Sequence, residues 1–174
     1  MARRIVVLGV GNELRSDDAV GVLVARRLAS LDLGEGVEVV EGHTGGLNLL
    51  FDIEDADWAI VVDAVDMGSQ PGQVEVFEAA EADVRVVERT ASLHHVALAD
   101  VLQLAEMTGV DTRVTLVGIQ PQLTLPGEGL SEPVAAKLDE VVELVRGMVE
   151  DALESPPPET ADGTDKGRGG AAES

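Results

Sequence analysis

The stretch Trp58-Ala59-Ile60-Val61-Val62 is apolar at every position and stops at Asp63. A strand with one wet face alternates apolar and polar residues. A strand apolar throughout is buried on both faces, as in the middle of a largely parallel sheet covered by helices. This one run constrains the fold more than any other feature, and its neighbours agree with it. Ile5 to Leu8 is a compact β-branched strand that runs into Gly9-Val10-Gly11-Asn12. Asp17 or Asp18 is placed to cap the helix that follows, in which Val20, Leu23, Val24, Leu28 and Leu31 recur at three- and four-residue spacing. Gly34 and Gly36 end it. Val37 to Glu41 mixes apolar and acidic residues, as a strand near a sheet edge does.

Gly42 to Gly46 reads as a loop and Leu47 to Ile53 as a short helix. Residues 64 to 72, with Asp66, Gly68, Pro71 and Gly72, leave no room for a crossover helix, so the strand at about Gln73 to Phe77 is expected to run antiparallel. Val96 to Thr108 reads as a helix stopped by Gly109, and Val114 to Ile119 as a fifth strand. Ser131 is expected to cap one long final helix from about Glu132 to Leu153, with Pro133 in its first turn. The expected architecture is a three-layer α/β/α sandwich on a mostly parallel five-stranded sheet, order 2-1-3-5-4, with strand four antiparallel. The domain is expected to span 1–154. From Ser155 three consecutive prolines lead into Gly, Ser, Thr and charged residues, and 155–174 reads as a disordered tail.

The chain has 174 residues, enough for one such domain. Its net charge is −21, which disfavours nucleic acid and anionic membranes as partners. No apolar run approaches the roughly 20 residues that span a bilayer. The basic start Arg3-Arg4 leads into a strand and then acidic residues rather than an export signal, so a cytoplasmic location is expected. Without cysteine, thiol nucleophiles and thiolate metal sites are excluded.

In the order 2-1-3 the chain leaves strand one for one side and later returns on the other. Open α/β sheets place ligands at such a switch point, outside the carboxyl ends of the strands. The loop there, Gly9 to Gly21, fails as a dinucleotide fingerprint: Leu14 stands where the third glycine belongs, and Glu13, Asp17 and Asp18 would repel a pyrophosphate. The loop is acidic instead. Asp18 lies at its mouth, Asp63 ends strand three at the same edge, and His94 precedes the helix near Val96. Two carboxylates and an imidazole suit a borderline divalent cation and leave coordination positions open. Each also has an ordinary structural reading, as cap, strand-end polar residue and surface histidine. His95, as the adjacent residue, is expected to point elsewhere, and His43 is a supplementary candidate. Ser92 lacks a G-x-S-x-G setting, and Asp111-Thr112 continues into Arg113 rather than glycine.

These residues resemble the nickel–iron hydrogenase maturation proteases. The opening Val7-Leu8-Gly9-Val10-Gly11-Asn12-x-Leu14-x-x-Asp17-Asp18-x-x-Gly21 carries the likeness. It continues at Gly42-x-Thr44-x-Gly46, at Val62-Asp63-Ala64, at His94 ahead of Leu98-Ala99-Asp100-Val101-Leu102, and at Gly118-Ile119-Gln120-Pro121. The five blocks fall in order between residue 4 and about 150. His43 stands where the family pattern has glycine, and Asp18 occupies a position held by Glu in some members and Asp in others.

The resemblance implies an endopeptidase that removes the C-terminal extension of a hydrogenase large-subunit precursor after nickel insertion. It implies Asp18, Asp63 and His94 as the catalytic and metal-contacting residues. Nickel would be brought by the substrate, with another divalent cation able to replace it in the isolated protein. Nickel acting as Lewis acid and a carboxylate acting as general base are both compatible with this set. The alternative of another class is a noncatalytic metal-sensing chaperone of the same large subunit. Nothing in the pattern demands a dimer.

Overall fold

A computed structural model of the protein describes residues 3–43, 48–78, 109 and 111–155. Five strands form one sheet: β1 (Ile5–Val10), β2 (Val37–His43), β3 (Trp58–Ala64), β4 (Val74–Glu78) and β5 (Arg113–Ile119). Their order is β2-β1-β3-β5-β4. The first three and β5 run parallel, and β4 pairs antiparallel with β5. The apolar runs therefore lie where the burial argument puts them, with β1 and β3 buried at every position.

Side chains alternate between the two faces of the sheet. Ile5, Val7, Trp58, Ile60 and Val62 meet helix α1 (Val20–Ala29) and the C-terminal helix α4 (Leu138–Glu154) in one core cluster. Val6, Leu8, Val10, Ala59 and Val61 meet Leu49 and Ile53 of α2 (Asn48–Ile53) on the other face. Among the described residues no helix is long and apolar enough to cross a membrane.

Four expectations need correction. Gly42 and His43 belong to β2 rather than to a loop. The first helix ends at Ala29, which leaves Leu31 outside it and exposed. The final helix is not continuous: Glu132–Ala135 forms a short helix, α3, and α4 starts afresh at Leu138. Ser131 occupies the N-cap position of α3 but makes no side-chain cap bond, because its hydroxyl is used elsewhere. Gly72, at φ +83°, lies so close to the carbonyl of Pro133 that a Cβ there would come within 2.5 Å of it. The short helix is thus held from both sides, and that resets the chain's direction before α4. The helix expected at Val96–Thr108 and all but the first residue of the expected tail lie outside the described residues.

At the amino end of the sheet, the indole Nε1–H of Trp58 donates to Thr115 Oγ1 at 2.8 Å. The Thr115 hydroxyl donates in turn to Glu78 at 3.0 Å. Arg113 lies over the Trp58 ring, 4.6 Å from its centroid, and pairs with Glu78 at 2.6 Å. Hydrogen bonds from Arg113 hold the Glu78 carboxyl below the usual carboxylate range, and the Arg113 guanidinium is raised in return.

Candidate functional site

The opposite end of the sheet is built differently. After β1 the chain turns at Gly11, whose φ of +147° and surroundings exclude a side chain: a Cβ there would lie 1.8 Å from the carbonyl oxygen of Asp18. The Asn12 N–H donates to that same oxygen at 3.2 Å, so the loop between residues 11 and 18 closes on itself. Ser16 follows with φ +51°. A left-handed non-glycine residue costs about 1–2 kcal/mol, so its surroundings must impose it. Ser16–Ala19 then form one 3-10 turn that leads directly into α1.

Gly21 fixes how closely that helix sits on the sheet. A Cβ at this position would fall 2.2 Å from the Val62 carbonyl oxygen and 2.3 Å from that of Val10. The start of α1 therefore rests on the carboxyl ends of β1 and β3, and the 3-10 turn makes contact with β3. This is the sheet's switch point.

Three carboxylates are buried here: Asp17 is 0% exposed, Asp18 2% and Asp63 0%. A charge taken out of water costs several kcal/mol unless polar partners replace the solvent. For Asp17 those partners are four donors. Its carboxylate accepts from the backbone N–H groups of Gln122 (2.8 Å), Leu123 (2.9 Å) and Ser131 (2.7 Å), and from the Ser131 hydroxyl (2.7 Å). The expectation that Asp17 or Asp18 caps the first helix is overturned. The residues at the two N-cap positions are Arg15 and Ala19, neither makes a side-chain cap bond, and the Asp17 carboxylate is committed to another loop.

That loop and the 3-10 turn are joined along their backbones as well. Asp17 N–H donates to Leu123 O at 3.0 Å, Ser16 N–H to Gly127 O at 2.9 Å, and Gly127 N–H to Leu14 O at 3.0 Å. The Ser16 hydroxyl donates to Leu125 O at 3.1 Å. These bonds account for the left-handed backbone at Ser16. None of them is written in local sequence, because Asp17 and its partners are 105 to 114 residues apart.

Asp63 is reached along β3. It follows Val61 on the α2 face, and its in-register partner on β5 is Gly118, which brings no side chain to that flank. Beyond β5, Gln120 supports the adjoining loop: its Oε1 accepts from the N–H groups of Met67 (2.7 Å) and Ser69 (3.2 Å), and its Nε2 donates to Asp66 at 3.1 Å. On the other side Arg26 spans Glu13 and Glu41, each at 2.8 Å, which raises its guanidinium further above its usual value. This exposed bridge spans the loop after β1 and the end of β2, and adds little stability of its own.

Of the residues singled out in the sequence, Asp18 and Asp63 thus lie buried at one sheet edge. His43 ends β2 beside Val10, across a shift in register. His94, His95 and Ser92 lie outside the described residues. Chemically, two buried carboxylates at a crevice can accept a proton or ligate a cation, and an imidazole from a third loop would complete a set suited to a borderline divalent ion.

Residues 22–148 match the hydrogenase maturation protease family. A hydrogenase expression/formation protein, HupM, of Azotobacter chroococcum mcd 1 is 38% identical over 138 residues, covering 78% of this chain and 66% of its own length. The hydrogenase 2 maturation protease of Escherichia coli K12 is 36% identical over 145 residues, covering 82% and 88%. The solved structure of the hydrogenase maturating endopeptidase HybD from E. coli superposes with a TM-score of 0.78 at 33% identity, over 86% of this chain and 93% of that one.

Proposed function

The chain belongs to the hydrogenase maturation protease family, and on that premise we propose that it removes the C-terminal extension of a nickel-loaded hydrogenase large-subunit precursor. The observation that carries the reading is the placement of Asp18 and Asp63, both buried, at the switch point of the sheet. Carboxylates are expensive to bury, and the fold buries these two where an open α/β sheet receives its ligands.

In this reading nickel is part of the substrate. The precursor presents it with open positions, and Asp18, Asp63 and His94 coordinate it. Coordination fixes the scissile bond against the protease, a proximity effect. It also makes cleavage conditional, since a precursor without nickel lacks the bridging atom. The unit that acts is residues 1–154, and 155–174 is a dispensable extension. The high negative charge accords with a partner that is another protein rather than nucleic acid or membrane.

The test is an intact-mass assay on the cognate large-subunit precursor, loaded with nickel or empty. Loss of a C-terminal peptide from the loaded sample alone is the expected result. A stable complex with a loaded precursor whose mass never changes would overturn catalysis and leave a noncatalytic chaperone.

A further inference from the structure

The mechanism above uses Asp18 and Asp63 and leaves the third buried carboxylate, Asp17, without a part. Its setting is unusual. Asp17 is 0% exposed, yet it neither pairs with a cation nor caps a helix among its described contacts. Its carboxylate accepts from neutral donors on the segment 122–131. Both carboxylate oxygens are used, one by Gln122, Leu123 and the Ser131 hydroxyl, the other by the Ser131 N–H.

Asp17 and Asp18 are consecutive in a 3-10 turn, where one residue advances the chain by about a third of a revolution. The direction of one side chain therefore dictates the direction of the next. Along the backbone, the Asp18 N–H donates to Arg15 O at 3.1 Å and its carbonyl accepts from Asn12 at 3.2 Å. Both partners lie in the same short loop, which itself contains the left-handed Ser16. Besides its contact with β3, the loop is tied to residues 122–131, with Asp17 at the buried centre of those bonds.

We propose that Asp17 is a positioning residue: held by Gln122, Leu123 and Ser131, it sets the turn that aims Asp18 into the crevice. The role rests on the endopeptidase reading for its catalytic consequence, but not for its structural one. Asp17→Asn is the sharpest probe. The amide keeps the shape but replaces one acceptor oxygen with an NH2 that faces N–H or O–H donors, so the array is broken without opening a cavity.

With nickel-loaded precursor, Asp17→Asn is expected to lower kcat by about 10- to 100-fold while KM stays within about twofold, as a misdirected group would. Ser131→Ala removes a single donor and is expected to lower kcat by about 3- to 10-fold, with Ser131→Thr restoring most of it. A merely structural role would not produce this split or this rescue. A folded Asp17→Asn protein with parental kcat overturns the proposal. If Asp17→Asn does not fold, Ser131→Ala decides, and parental kcat there overturns it equally. If the parental chain itself cleaves nothing, the endopeptidase reading fails separately. The positioning role is then read from amide chemical shifts in the Ser131→Ala and Asp17→Asn proteins. Shifts at Asn12 and Asp18 larger than those along α4 support it, and unmoved Asn12 and Asp18 signals overturn it.

Discussion

The two ends of this sheet hold polar groups in opposite ways. At the amino end, Trp58, Thr115, Glu78 and Arg113 form a chain of donors and acceptors that opens to solvent at an ion pair. At the carboxyl end, three carboxylates lie at 2% exposure or less, and that of Asp17 is held by donors of the segment 122–131. The first arrangement stabilises the fold where it stands. The second buries carboxyl groups at the switch point, which is unfavourable for folding unless something there uses them. Natural proteins accept such local conflicts mainly at functional sites.

The contrast can be broken most severely at Asp63. Asp63→Asn is isosteric and is expected to leave the fold intact while cleavage of the nickel-loaded precursor falls by at least about 100-fold. His94→Ala is expected to do the same. Intact-mass kinetics beside a thermal melt measures both, and a parental rate in either variant removes that residue from the site.

Next in size is Gly21→Ala, which acts on the joint that connects helix and sheet at the carboxyl end. The added methyl would sit 2.2 Å from Val62 O, and helix α1 must move to admit it. A loss of about 2–3 kcal/mol is expected, an overpacking cost. For a chain of this size that is a fall in Tm of about 5–10 °C. A melt unchanged within about 1 °C would mean that the helix is less tightly seated than this geometry requires.

At the amino end, Thr115→Val leaves the buried Trp58 Nε1–H without its acceptor and is expected to cost about 1–2 kcal/mol. Cleavage is expected to stay within about twofold of the parent. A large loss of activity at an unchanged melt would mean that the two ends are coupled rather than separate.

The smallest effect concerns Glu78, whose carboxyl is lowered by Arg113. A depressed carboxylate contributes stability above its unfolded pKa, and that contribution is lost as pH falls through the folded value. Because the pair is largely exposed, the contribution is expected to be below about 1 kcal/mol. Melts of the parent and of Glu78→Gln at neutral pH and near pH 3 give the difference. It is expected to shrink at the acidic end, and a difference that grows there would reverse the assignment.

The sheet was the legible part of this molecule. Continuous apolar runs such as Trp58–Val62 report burial on both faces, and the short connection from 64 to 72 excludes a crossover, so strand order and the antiparallel β4 follow from local pattern. The placement of Asp18 and Asp63 at or beyond the carboxyl ends of apolar strands was legible, since each comes after such a run at the switch point. The role of Asp17 was not. A cap is read from its own neighbourhood, whereas this carboxylate is held by backbone amides that any sequence supplies, more than a hundred residues away. The break between α3 and α4 escaped for a related reason. No glycine or interior proline marks it, and its causes are contacts with Asp17 and Gly72.

Those long-range bonds also bear on the order in which the protein becomes itself. Closing a connection of over a hundred residues carries an entropy cost that only later contacts offset, so it belongs to the end of folding. Asp17 cannot find its donors until β5 has joined the sheet and residue 131 has been synthesised. A partly made or partly folded chain would thus possess its central strands and both crevice carboxylates in sequence, yet hold no aligned site. Hydrolytic competence would arrive last, as a property of the completed molecule.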